Sequence, residues 1–180
     1  MIKEFSVTGE NLSQLQEELS NFLSLDIVYS NPFDDEQLRQ GIPIDIPKVA
    51  VSYGDMRVNI IQKHNMQVLP RVIYWALEQY CGDTDYDIIN CWATNMKVGS
   101  EGLIHHHLPT ELSGVYYYAV DPNDSQIELM TDGEFKSYAS ATGKLIMWPA
   151  NTLHRIPFKT LDTLRCSISF NLVRSYQNTL

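Results

Sequence analysis

The chain has 180 residues, 44% of them apolar, and a formal net charge of −9. That length suits one domain over 1–180 with a real core, and the acidic balance excludes unselective binding to nucleic acid or anionic membrane, both of which need a basic surface. No run of about 18 apolar residues is present to cross a bilayer, and the start MIKEFSVTGENL lacks the apolar stretch of a signal peptide. Cys81, Cys91 and Cys166 are an odd, widely spaced set that reads as free thiols in a reducing, cytoplasmic setting.

In chain order, Leu12, Leu15, Leu19, Phe22 and Leu23 recur at helical spacing and predict an amphipathic helix from about Asn11, whose side chain can cap the free amides. DIVYS (26–30) predicts a strand. Asn31 to Pro47 carry Pro32, Gly41, Pro43 and Pro47 and predict a long loop, a candidate lid. A second helix is predicted from about Pro70 to just before Gly82. Beyond Gly82 the pattern changes to short β-type runs: YDIINCWATNM, LSGVYYYAV, SQIELM, GKLIMWP and LRCSISFNLV, separated by VGSEG, DPNDS, TDGE, SATG, PANT and TLDT. The expectation is a mainly β, α+β fold. A helical and loop-rich part, about 1–82, buttresses a sandwich or barrel over about 83–175.

The stretch GLIHHHLPTELSGVYYY holds three consecutive histidines in a chain whose only others are His64 and His154. On a strand His105 and His107 point together and His106 points away, and a His-x-His pair grips a metal through two imidazoles. A polar surface loop is the bland alternative. His154, after the run GKLIMWPANT, can add a third imidazole from a neighbouring strand end and leave coordination positions open. In LRCSISFNLV, Arg165, Ser167, Ser169 and Asn171 share one face, with Cys166, Ile168, Phe170 and Leu172 on the other. The second is core. The first is either a solvated face or the lining of a polar cavity, where Arg165 forks onto a carboxylate and Ser167 adds a hydroxyl. Asn90, Trp92, Thr94 and Met96 form another alternating face. Of Tyr116, Tyr117 and Tyr118, at least two are expected to be core-filling β-formers.

Taken together, NCW from Asn90, HHH at His105 to His107, LSGVYY from Leu112, GKLIMWPANTLH from Gly143 and RCSISFNL from Arg165 resemble the iron(II)- and 2-oxoglutarate-dependent oxygenases. The likeness is to a family of small members from bacteria and phages, and it covers Asp87 to Val173. It implies a double-stranded β-helix, or jelly roll, with iron bound by His105, His107 and His154. It also implies 2-oxoglutarate and O2 as cosubstrates, Arg165 on the distal carboxylate, and Ser167, Tyr117, Asn90 and Trp92 around it. The implied reaction hydroxylates a protein side chain or a small molecule and releases succinate and carbon dioxide. Most of the superfamily has an acid where this chain has His107, and Glu111 stands close enough in sequence to supply one. Two other readings stay open. Gly99, His105, His107 and Glu111, then Gly143, Pro149, Asn151 and His154, follow the spacing of a cupin, which implies a three-histidine metal enzyme or a metal-dependent binding module. The third reading is a non-enzymatic phage structural or adaptor protein.

Overall fold

A computed structural model describes residues 1–25, 51–53 and 59–175, of which 51–53 by backbone alone. The expected strand DIVYS and the loop Asn31–Pro47 lie outside the described residues. In chain order the elements are β1 (Lys3–Ser6), α1 (Gly9–Leu23), β2 (Val51–Tyr53), α2 (Ile60–Lys63), α3 (Val68–Cys81), β3 (Tyr86–Asn95), β4 (Gly102–His105), β5 (Leu112–Val120), β6 (Ile127–Thr131), β7 (Glu134–Tyr138), β8 (Lys144–Pro149), β9 (His154–Ile156) and β10 (Arg165–Arg174). Among the described residues, no helix is long and apolar enough to cross a membrane.

The strands form two antiparallel sheets, one of six in the order β1-β8-β5-β10-β3-β2 and one of four in the order β4-β9-β6-β7. The six-stranded sheet has an apolar set on each face because its central strands alternate two kinds of buried residue. On one face Tyr116, Ile168, Phe170 and Leu172 join Leu15, Leu19 and Phe22 of α1 and Leu69, Val72, Ile73, Ala76 and Leu77 of α3 in one core. Each of those leucines contributes about 1.5–3 kcal/mol by leaving water. On the other face Val115, Tyr117, Ile146 and Trp148 meet Ile127 and Leu129 of the second sheet. That sheet-on-sheet interior is where the polar face of β10 points.

Local chemistry sets the helix ends. The first amide of the α1 ladder, Leu12 N–H, bonds to Thr8 O at 3.4 Å, so the helix begins at Gly9. Asn11 therefore lies inside the first turn and is not the cap the sequence suggested. α3 starts at Val68, two residues ahead of Pro70. Its leading amides need acceptors, and Glu18 of α1 supplies them: the Gln67, Val68 and Leu69 N–H groups donate to its carboxylate at 2.7, 2.9 and 2.8 Å. Gly82 closes α3 in the left-handed region at φ 72°.

Gly114 on β5 sits opposite Phe170 on β10. A Cβ there would lie 2.3 Å from Phe170 Cζ and 3.0 Å from the Ile146 carbonyl oxygen. The glycine of the SGV run is thus a packing requirement, since only a residue without a side chain lets Phe170 fill the core.

Candidate metal centre

His105 is the last residue of β4 and pairs across the sheet with His154, the first of β9. His107 follows two residues later. The sequence placed it on the strand with His105, but β4 ends at His105, and a turn carries His107 instead. Its N–H donates to Ala150 O at 2.9 Å, and its carbonyl accepts from Thr110 N–H at 3.0 Å and Thr110 Oγ1 at 2.7 Å. The three rings nevertheless meet. One ligand nitrogen from each lies within 4.8 Å of the other two, and His107 Nε2 is 3.2 Å from His154 Nε2. Two nitrogens at right angles on one metal, with bonds of about 2.1 Å, stand about 3 Å apart, so this pair already has the spacing of neighbouring ligands. His154 is buried, His107 partly so and His105 exposed, which leaves the cluster open to incoming groups on one side.

Electrostatics favours the uncharged, ligating form of the two inner rings. Burial, with His154, His105 and His106 close by, pushes His107 down to about 3. Burial and His105 likewise push His154 down to about 4, against the opposing pull of the Thr152 carbonyl. Trp92 lies against His107 with ring centroids 5.7 Å apart, and Trp148 against His154 at 5.2 Å.

Neither His106 nor Glu111 offers a ligand atom to the cluster among the described residues. His106 is exposed, and its Nδ1 accepts from Leu108 N–H at 3.3 Å. Glu111 is also exposed and its carboxylate accepts from Arg174 N–H at 3.4 Å. The alternative ligand set with Glu111 is not the one the fold assembles among the described residues.

Arg165 is only 1% exposed. Its Nε donates to Ser125 O at 2.9 Å, one terminal nitrogen approaches Met96 Sδ at 3.1 Å, and its guanidinium lies 5.6 Å from the centre of the Tyr117 ring. Among the described residues no carboxylate pairs with it. A buried cation without a counter-charge costs several kcal/mol, and an anionic ligand would offset that. Tyr117 Oη and Ser140 Oγ are buried, and Ser140 and Arg165 are the polar side chains that face the phenol among the described residues. Burial pushes the Tyr117 phenol up, and the neighbouring Arg165 pulls the other way. Ser167 is buried opposite Tyr117 on β5 and Thr94 on β3. The donor set therefore fits a carboxylate: a fork-shaped cation, a buried phenol and a hydroxyl.

Three parts escaped the sequence reading. The first two are Ser113 and Asn171, whose side chains bond at 2.8 Å behind His107. Alternation along β10 had put Asn171 on the polar face, but nothing linked it to a histidine; half-buried Asn90 stands opposite it on β3. The third is a clasp between loops. The Lys159 ammonium and the Asp124 carboxylate form an ion pair with no solvent exposure of either side chain. Lys159 also donates to Leu161 O at 2.7 Å and Thr163 Oγ1 at 3.0 Å, and Thr163 donates to Asp124 at 2.7 Å. Asp124 accepts from Ser125 N–H at 2.7 Å as well, so the clasp fixes the residue whose carbonyl orients Arg165.

No protein-family model matches the chain, and no curated protein matches it. Solved structures do. A 2OG-Fe(II) oxygenase family oxidoreductase from Burkholderia pseudomallei shares 15% identity at a TM-score of 0.57, covering 94% of this chain and 93% of that one. A prolyl hydroxylase from Trichoplax adhaerens, in complex with a hypoxia inducible factor peptide fragment, shares 14% at 0.63, covering 96% and 83%. HygX from Streptomyces hygroscopicus, with nickel, 2-oxoglutarate and hygromycin B bound, shares 8% at 0.63, covering 97% and 83%. The two facing antiparallel sheets and these superpositions give the chain the jelly-roll fold of the iron(II)- and 2-oxoglutarate-dependent oxygenases.

Proposed function

We propose that the protein is an iron(II)- and 2-oxoglutarate-dependent oxygenase that hydroxylates a protein side chain or a small molecule. The observation that carries this reading is the pairing of an open three-imidazole cluster with a buried arginine that no carboxylate of the described residues pairs, in one jelly roll. His105, His107 and His154 would hold the metal through one imidazole nitrogen each. Arg165 would bind the distal carboxylate of the cosubstrate with its remaining guanidinium donors, and Tyr117 and Ser167 would donate beside it. Iron(II) held there together with 2-oxoglutarate would supply the chemistry of C–H hydroxylation by O2, with succinate and carbon dioxide as the products of the cosubstrate. Trp92 and Trp148 flank the inner imidazoles, keep water off them and hold their planes. Asn90 and Trp92 line the same interior from β3. The range of substrates follows the neighbours: one holds a peptide fragment and another hygromycin B. A three-histidine set is also the cupin solution, and Arg165 with Tyr117 is what favours the oxygenase.

The test is an anaerobic iron(II) titration with and without 2-oxoglutarate, followed by the visible metal-to-ligand charge-transfer band. His105→Ala, His107→Ala and His154→Ala are expected to lose the iron, while His106→Ala and Glu111→Ala keep it. Arg165→Lys keeps iron but loses the forked contact, weakening 2-oxoglutarate by about 1.5–3 kcal/mol. A protein that binds iron but shows no band with 2-oxoglutarate, and no succinate in air, refutes the proposal.

A further inference from the structure

Two of the three imidazoles are oriented by backbone. His105 Nδ1 donates to Leu103 O at 2.7 Å, and His154 Nδ1 donates to Thr152 O at 3.1 Å. A carbonyl only accepts, so both rings carry their proton on Nδ1 and offer the Nε2 lone pair. Among the described residues, no carbonyl meets His107 Nδ1. It faces Asn171 Nδ2 at 3.5 Å, and Asn171 Oδ1 accepts from Ser113 Oγ at 2.8 Å. Ser113 and Asn171 are buried cross-strand partners on β5 and β10.

The polarity of this chain of contacts decides which nitrogen of His107 is available. In the arrangement described, Ser113 donates to Asn171, Asn171 donates to His107 Nδ1, and His107 Nε2–H faces His154 Nε2 at 3.2 Å. Every link is satisfied, but the proton sits on the nitrogen that a metal needs. Turning the Asn171 carboxamide over reverses every link. Its oxygen then accepts from His107 Nδ1–H and its nitrogen donates to Ser113 Oγ, which can accept as well as donate. The exchange needs no backbone movement, because amide oxygen and nitrogen are nearly equal in size.

We infer that Asn171, seated on Ser113, is the positioning residue that sets the His107 tautomer, and that metal coordination turns its carboxamide so that the oxygen accepts from His107 Nδ1–H. This rests on reading the three histidines as the metal site. A side chain has this duty because His107 lies past the end of β4, where no strand carbonyl meets its Nδ1. An amide on a serine is a hinge with two satisfied settings, whereas a backbone carbonyl has one.

Zinc(II), which is diamagnetic, is the probe. Long-range proton–nitrogen correlation spectra of the 15N-labelled full chain are expected to show His107 protonated at Nδ1 and ligated through Nε2 once zinc is added. Calorimetry is expected to show zinc binding weakened 10–100-fold in Asn171→Leu, the range typical for loss of a group that orients a ligand. Asn171→Asp, which keeps an acceptor oxygen, should bind within a few-fold of the parent. His107 ligated through Nδ1, or Asn171→Leu binding zinc as tightly as the parent, overturns the inference. If Asn171→Leu fails to fold, the tautomer of the parent protein decides alone. A parent that binds no zinc or iron overturns the metal-site reading and this inference with it. A parent that binds while Asn171→Leu is unaffected overturns this inference only.

Discussion

Replacing Asp124 by alanine strands the Lys159 ammonium where its side chain has no solvent exposure. Thr163 and the Ser125 amide lose their acceptor at the same time. Breaking a buried pair by removing one partner typically costs about 3–5 kcal/mol, because the survivor is a desolvated, uncompensated charge. For a chain of this size, that is a fall in melting temperature of roughly 6–20 °C. Urea titration of Asp124→Ala, by far-UV circular dichroism, measures the loss directly. A double variant, Asp124→Leu with Lys159→Met, removes both charges and should recover most of it, since apolar replacement of a buried pair is close to neutral. Burial raises the Asp124 carboxyl, but its bonds from Lys159, Thr163 and the Ser125 amide outweigh that and leave it below its ordinary 3.8. Its stabilisation is therefore complete above pH 3.8 and is lost as pH falls through the lower folded value. The same variant should loosen the Ser125 carbonyl and weaken 2-oxoglutarate more than iron. A cost below about 1 kcal/mol in Asp124→Ala would refute the reasoning, because it would mean that Lys159 reaches water without help.

Two further outcomes follow from the core. Gly114→Ala is expected to destabilise by about 1–3 kcal/mol through overpacking against Phe170, with recovery when Phe170→Leu is added, both read by urea titration. Burial pushes Tyr116 up to about 12 and Cys166 up to about 12 from ordinary values of 10.0 and 9.0. The unfolded chain then gives up protons before the folded one, so stability is complete below pH 9 and falls as pH rises toward 12. Tyr116→Phe should flatten that decline above pH 10, and an unchanged slope would refute the assignment.

The β5 run LSGVYYYAV was legible to its ends because its valines and tyrosines are strand formers that fill two buried faces. β1, β7 and β9 were not: they are short, partly exposed edge or near-edge strands, with mixed composition that carries no period. The face of β10 that carries Arg165 was visible as alternation, yet alternation alone left both solvent and cavity open as readings. Burial by the second sheet decided between them. His107 was placed in the right direction for an incomplete reason, since a hydrogen bond to Ala150, and not the strand pleat, turns it inward. Lys159 and Asp124 lie 35 residues apart and gave no local sign that they meet, because a buried lysine and a surface one look alike in sequence.

Strand β10 is the last described strand in chain order but lies between β3 and β5, at the middle of the larger sheet. It brings Arg165 and Asn171 to a place whose three histidines have all been synthesised before it. A growing polypeptide that has already displayed every imidazole therefore still lacks the wedge that separates β3 from β5. Pairings over such sequence separations form late in folding. A released fragment that stops before Arg165 is therefore expected neither to fold nor to retain metal, read by its circular dichroism and its metal content.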